Sequence, residues 1–94
     1  KIRVERKGSF KTIIYPNPTV SHINIEVTAP EGSKVNVDIY DNNGKLILKS
    51  VLEGISEGKE LSSVIEAGRL SKGVYHVMVN VDGTISSNKL IVIE

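Results

Sequence analysis

Hydrophobic and polar residues alternate along most of the chain from Thr12 onward, and this period of two predicts β-strands with one buried face. The clearest alternations are "HINIEVTA" (22–29), "KVNVDIYD" (34–41) and "GVYHVMVNV" (73–81), in which apolar side chains occupy every second position. Shorter strands are predicted for "TIIY" (12–15) and for 60–65, where the pattern is less regular.

Two dipeptides that contain glycine separate neighbouring strands. The first, Asn43–Gly44, joins strand 34–41 to a return strand over 45–53. The second, Asp82–Gly83, leads into a last strand over 84–94. Asn-Gly and Asp-Gly steps favour tight hairpins, so each pair of strands is predicted to be antiparallel.

The spacing of glycines in the second half of the chain argues against helices. Four glycines fall between 54 and 73 and would interrupt a helix longer than about two turns. Seven short strands without a convincing helix predict an all-β fold, a seven-stranded antiparallel immunoglobulin-like β-sandwich. Its core would be aliphatic, with Tyr15, Tyr40 and Tyr75 as the larger members.

Composition agrees with one soluble folded unit. The chain has 94 residues, of which 39% are hydrophobic and 24% charged, and this length supports a single modest core. No apolar run is long enough for a membrane-spanning helix, and these residues include no N-terminal secretion signal. Because the chain begins with Lys1 rather than methionine, we expect it to be part of a longer protein.

Charge is concentrated at the start of the chain. Residues 1–11 hold five Lys or Arg and one Glu, whereas the remainder holds seven basic and ten acidic residues. We favour a linker over 1–11, the alternative being the last strand of a preceding domain followed by a linker, and place the folded domain at 12–94. No basic cluster interleaved with aromatic residues is present, so we predict no nucleic-acid binding.

Residues suited to catalysis or metal binding are sparse. Cysteine is absent, and the only histidines, His22 and His76, are far apart in the sequence, so we predict no metal site and no cofactor. The serine pairs at 62–63 and 86–87 lack the Gly-x-Ser-x-Gly context of a nucleophile. We therefore predict that the domain is not an enzyme.

The last predicted strand is apolar on both faces. In "KLIVIE", Leu90 and Val92 point to one side and Ile91 and Ile93 to the other. Such a strand is either buried between two layers or lies at a sheet edge, where its outer face meets a partner by β-augmentation. The sequence leaves both alternatives open.

Four stretches together resemble a known family, the type A C-terminal sorting domain of the type IX (Por) secretion system of Bacteroidetes. They are "YPNPTVSHINIEV", "VDIYDNNGKLI", "LSKGVYHVMV" and "NKLIVIE", which occur in the order of the family and extend to the last residue. The resemblance covers about 80 of the 94 residues. No single stretch is diagnostic, but the ordered set is specific.

The resemblance implies a function as a signal. Such domains follow a secreted cargo, bind translocon components at the outer membrane, and are removed by a sortase-like peptidase that anchors the cargo at the cell surface. Residue roles implied in this way fall into three groups. The recognition residues are Gly73, Tyr75, Lys89, Leu90, Ile91, Val92, Ile93 and Glu94, the cleavage region is Gly8, Ser9, Phe10 and Lys11, and the structural motif is Tyr15, Pro16, Asn17, Pro18 and Gly44.

Two other functions are compatible with a small sandwich. A carbohydrate-binding or adhesion module would need a row of exposed aromatic side chains, and the chain has four aromatic residues and no Trp. A homophilic domain would self-associate through the same C-terminal strand. This third interpretation is compatible with the sorting signal.

Overall fold

A computed structural model describes residues 10–16, 22–66 and 69–93, which form seven strands. The strands are β1 (Lys11–Tyr15), β2 (His22–Thr28), β3 (Lys34–Asp41), β4 (Leu46–Ile55), β5 (Leu61–Glu66), β6 (Gly73–Val81) and β7 (Thr84–Val92). The predicted bounds of β3 and β6 are confirmed, and those of β1, β4 and β5 differ by one or two residues. The last strand ends at Val92 rather than continuing to the end of the chain.

The strands form two antiparallel sheets. One has the order β1-β2-β5 and the other the order β4-β3-β6-β7. The predicted all-β, seven-stranded antiparallel sandwich of immunoglobulin-like type is thereby confirmed. Among the described residues β7 ends the strand order of its sheet, so the edge-strand alternative applies to it.

The core lies between the sheets and consists of the inward half of each alternation. Its fully buried members are mainly Ile and Val from β2, β3 and β6, and burying each such side chain stabilises the fold by about 1.5–3 kcal/mol. The buried hydrophobic residues are Ile23, Ile25, Val27, Ala29, Val35, Val37, Ile39, Leu52, Ile65, Leu70, Tyr75, Val77, Val79, Val81, Leu90 and Val92.

Only one of the three tyrosines belongs to this core. Tyr75 is 7% exposed, whereas Tyr15 is 43% exposed and Tyr40 is half-buried. Tyr40 shares its face of β3 with Asn36 and Asp38, opposite to the buried Val37 and Ile39. The prediction that Tyr15 and Tyr40 fill the core is therefore wrong, because their strand positions alternate onto the outer faces.

The two predicted hairpins, β3–β4 and β6–β7, use different turns. Asp82 and Gly83 have φ of 51° and 92°, as a two-residue type I′ turn requires. In the β3–β4 turn Gly44 has positive φ but Asn43 does not, and the Gly44 amide donates to the Asp41 carbonyl (3.1 Å). This is a type I turn followed by a left-handed glycine, which is longer than the predicted tight turn.

Strand direction gives the sandwich two poles. The N-terminal pole contains Phe10, the start of β1, and the connections 29–33, 56–60 and 82–83. The C-terminal pole contains the β3–β4 turn (42–45), segment 69–72 and Ile93. β7 runs between the poles over nine residues, or about 30 Å at roughly 3.4 Å per residue.

The two long sides of the sandwich differ. On one side the Ser63 hydroxyl of β5 donates to the Val51 carbonyl of β4 (2.8 Å), which ties the sheets together. On the other side a cleft of about 340 Å³ is lined by residues of β1 and β7, namely Thr12, Ile14, Ser87, Asn88 and Lys89. One side is therefore closed by a hydrogen bond and the other is open.

Candidate recognition surface

The segment before β6 is held rigidly at the C-terminal pole. Leu70 is 4% exposed and belongs to the core, and the Tyr75 hydroxyl donates a short hydrogen bond to the Ser71 carbonyl (2.6 Å). Gly73 has φ of +157°, a backbone conformation that L side chains rarely adopt. The Leu-x-x-Gly-x-Tyr motif is thus a structural clamp on segment 69–72.

The residues proposed for recognition cannot all contact a partner, because several of them are buried in the fold. Tyr75, Leu90 and Val92 are buried, and Gly73 and Ile91 are half-buried. Lys89 and Ile93 are the exposed members of the proposed recognition set among the described residues, and Glu94 lies outside them. A partner would meet the outer side chains of β7, while Tyr75, Leu90 and Val92 position them.

β7 separates its faces as the alternation predicts. Leu90 and Val92 point into the core at 0% and 1% exposure, and Ile93 is 45% exposed. At the opposite end of the same strand Ile85 is 58% exposed. The apolar outer face of β7 is therefore available at both poles.

Several exposed residues that the sequence did not single out share the C-terminal pole with Ile93. Gly73 pairs with Val92, so Lys72 and Ile93 lie one residue beyond that pair. β3 lies beside β6, with Asp41 opposite Tyr75, and this places the β3–β4 turn next to segment 69–72. The exposed side chains of the C-terminal pole thus include Lys45, Leu46, Arg69 and Lys72. Finding them required the strand order, which the sequence did not disclose.

Hydrogen bonds order the β3–β4 turn. The Asp41 carboxylate accepts the amides of Asn43 (2.8 Å) and Lys45 (2.9 Å). The Lys45 amide, followed by that of Asn43 and the charge of Lys45, lowers the pKa of Asp41, because these groups favour the ionised form. His76 Nε2 lies 3.2 Å from Asn42 Oδ1 and links the turn to β6.

The Pro corner and the cleavage region are only partly described. Tyr15 ends β1, its hydroxyl donates to Glu26 (2.7 Å), and this hydrogen bond is the main cause that raises the pKa of Tyr15. Phe10 packs against the core and Lys11 begins β1. Gly8, Ser9, Asn17 and Pro18 lie outside the described residues.

In the described part of the chain, the side chains that could bind a metal or act as nucleophiles do not cluster into a site. No three of its His, Asp and Glu side chains are close enough to hold a metal ion. Its serine hydroxyls at 56 and 63 donate to backbone carbonyls. None of the residues in ranges 10–16, 22–66 and 69–93 forms a helix of the length and apolarity needed to cross a membrane.

Among solved structures the chain is similar to the crystal structure of CopC from Methylosinus trichosporium OB3b, with 19% sequence identity and a TM-score of 0.53, over 88% of this chain and 94% of that one. At this identity the likeness shows the fold alone. No curated protein matches the sequence.

The sequence also matches the family described as the secretion system C-terminal sorting domain, over residues 13–94. The match begins within β1 and runs through all the strands, so it includes both the clamp at 70–75 and β7. The chain therefore belongs to the C-terminal sorting domain family of the type IX secretion system, whose members direct proteins through the outer membrane to the cell surface.

Proposed function

We propose that this domain is a non-catalytic signal whose C-terminal pole is bound by type IX translocon components after transit through the periplasm. The family match over residues 13–94 carries the proposal. The exposure of Ile93 and Lys89 beside a rigid clamp supports the choice of pole. The buried members of the recognition set preserve the fold that presents them.

A sortase-like peptidase then removes the domain at a bond before Phe10 and leaves the cargo anchored at the surface. Phe10 packs against the core and Lys11 is paired in β1, so cleavage after either would require local unfolding. Gly8 and Ser9 are small residues that a protease groove accommodates. The proposed bond therefore lies at or just upstream of Ser9.

The accessory-module alternative is weaker. Tyr15 and Tyr40 are on the outer faces of different sheets, so they cannot form one platform for sugar rings. Self-association is compatible with the proposal, because Ile85 on β7 and Ile93 directly after it are exposed, and β7 ends the strand order of its sheet. It would appear as concentration-dependent dimers in sedimentation equilibrium.

The test is a transplant of residues 1–94 onto the C-terminus of a periplasmic reporter in a bacterium with this secretion system. Deleting the last strand would remove Leu90 and Val92 from the core, so an outward substitution is the sharper variant. Ile93→Asp should reduce surface delivery of the reporter by about tenfold, since it places a charge where a partner buries an apolar side chain.

The matched control is Ile85→Asp, which makes the same change on the outer face of β7 at the N-terminal pole. We expect near-normal delivery of that fusion. Both variants should melt close to the unmodified domain, because both side chains point away from the core. Periplasmic retention of the unmodified fusion, with the domain folded, would refute the signal function; equal delivery of both variants would refute only the assignment to the C-terminal pole.

A further inference from the structure

The charged residues of the sandwich are sorted by pole. At the C-terminal pole the described cationic residues are Lys45, Arg69, Lys72 and Lys89, against the carboxylates of Asp41 and Glu66. At the N-terminal pole five carboxylates, Glu31, Glu53, Glu57, Glu60 and Asp82, face Lys11, Lys34 and Lys59. Among the described residues, the C-terminal pole therefore has net positive charge and the N-terminal pole net negative charge.

The positive charge is presented by ordered backbone. Arg69 and Lys72 flank the buried Leu70 and the Ser71 carbonyl that accepts the Tyr75 hydroxyl. Lys45 follows a turn in which the Asp41 carboxylate is already bonded to two backbone amides. An ordered backbone reduces the conformational freedom that a binding surface loses, and this favours recognition over nonspecific attraction.

We propose that the C-terminal pole binds a carboxylate-rich surface of a protein partner through Lys45, Arg69 and Lys72, with the exposed aliphatic side chains of Leu46 and Ile93 at its two sides. This inference rests on the proposed function and adds the chemistry of the partner. Leu46 and Ile93 are 43% and 45% exposed. Leu46 begins β4 and Ile93 follows β7, the two outer strands of the four-stranded sheet. Strand spacings of roughly 4.8 Å therefore place these two side chains about 15 Å apart, on either side of segment 69–72.

The same chemistry argues for a protein rather than an anionic lipid surface. Polybasic lipid binding uses about four to eight Lys or Arg in a cluster and needs no fixed geometry. This pole has four described cations, the lower end of that range, of which Arg69 and Lys72 lie on the clamped segment 69–72, and it also exposes aliphatic side chains. Binding to headgroups is therefore an outcome that the experiment must detect separately.

The experiment compares two charge reversals of equal size in the reporter fusion. Arg69→Glu with Lys72→Glu changes the C-terminal pole, and Lys34→Glu with Lys59→Glu makes the same net change at the N-terminal pole. We expect surface delivery to fall by about tenfold in the first and by less than twofold in the second. The pair Arg69→Lys and Lys72→Arg should retain delivery, because it keeps both charges.

Each result has a defined meaning. An equal fall in both reversals would show a net-charge effect and overturn the inference, as would normal delivery of both. Failure of the unmodified fusion would refute the proposed function instead. If a melting curve shows that the first reversal is unfolded, Arg69→Gln with Lys72→Gln replaces it, and delivery within twofold of the unmodified fusion then overturns the inference.

A second measurement separates the two kinds of partner. The purified domain is titrated with poly-L-glutamate and, separately, with phosphatidylcholine vesicles containing anionic phosphatidylglycerol. We expect the peptide to perturb amide signals at 45–46, 69–72 and 93, with an effect that weakens between 50 and 300 mM salt, roughly as screening of exposed charges requires. The inference would be overturned if the unmodified domain bound the vesicles but not the peptide, and if the Arg69→Glu, Lys72→Glu variant lost vesicle binding. That result would assign the pole to lipid.

Discussion

Ser50 shows how one residue can shape a strand through its hydrogen bonds. It has φ of 53°, uncommon for a residue other than glycine, at the register shift between β3 and β4. Its amide donates to Asp38 Oδ1 (2.7 Å) and its hydroxyl to Asn36 Oδ1 (2.9 Å). The bulge therefore depends on a half-buried carboxylate of the neighbouring strand, and it interrupts the otherwise regular edge of β4.

Removing that acceptor should destabilise the fold. Asp38→Ala leaves the Ser50 amide without its partner, and we expect a loss of about 1–3 kcal/mol in the free energy of unfolding, measured by urea titration. Asp38→Asn retains an acceptor oxygen and should lose less. Glu53→Ala, an exposed change opposite Asn36, should stay within about 0.5 kcal/mol. A loss equal to that control would refute the role of Asp38.

Asp41 predicts a pH dependence whose sign follows from its lowered pKa. The folded state favours the ionised carboxylate, so its stabilising effect is complete above the ordinary value of 3.8 and is lost as pH falls below that value. Asp41→Asn keeps the turn acceptor without the charge. The unmodified domain should melt higher than this variant at neutral pH, and the gap should shrink near pH 2. A gap that is constant with pH would contradict the prediction.

At the scale of elements, the alternation of apolar residues predicted β2, β3, β6 and both hairpins. What it could not supply was the strand order, since period two reports a buried face and not a neighbour. Strand order is what brings Lys45, Arg69 and Lys72 to one pole. The wrong prediction for Tyr15 and Tyr40 has another cause, because it followed from the size of these side chains and not from their positions in the alternation of β1 and β3.

The β3–β4 hairpin depends on Gly44. Its φ is +87°, and a Cβ added there would meet no atom within 4 Å, so backbone strain alone opposes a side chain. Gly44→Ala should cost about 1–2 kcal/mol in thermal or urea unfolding, and Gly44→Asn less, because Asn tolerates the left-handed region. A secretion defect in Gly44→Ala should be rescued by lowering the growth temperature if only folding is affected. Equal costs for Ala and Asn would argue against strain as the cause.

β1 carries a buried polar atom without a partner. Thr12 Oγ1 is inaccessible to solvent and has no hydrogen bond, beside the cleft that separates β1 from β7. Thr12→Val replaces the hydroxyl by a methyl group of similar size. We expect this change to raise the free energy of unfolding by about 1 kcal/mol, with exposed Thr28→Val as the control. A clear loss of stability would instead show that the hydroxyl is bonded to water in the cleft.

At the scale of the whole molecule, the start of β1 and the proposed recognition surface lie at opposite poles. The chain enters the fold at Phe10 and Lys11, opposite Thr28, and leaves it at Ile93, one residue after the pair of Gly73 and Val92. A partner that covers the C-terminal pole therefore leaves the start of β1 exposed. Any pull from the preceding segment acts first on β1.

β1 is also the strand that we expect to be least stabilised by its neighbours. It has five residues, ends the order of the smaller sheet, and alternates between exposed and half-buried positions, whereas β3 and β6 each lie between two strands. We expect native-state hydrogen exchange to show β3 and β6 amides exchanging only through global unfolding, and β1 amides through local opening of lower free energy. Rising urea should accelerate exchange in β3 and β6 while leaving β1 nearly unaffected, because local opening exposes little surface. If β1 amides instead follow the same urea dependence as β3, then β1 unfolds only with the whole sandwich, and tension on the preceding segment would have to unfold the entire signal.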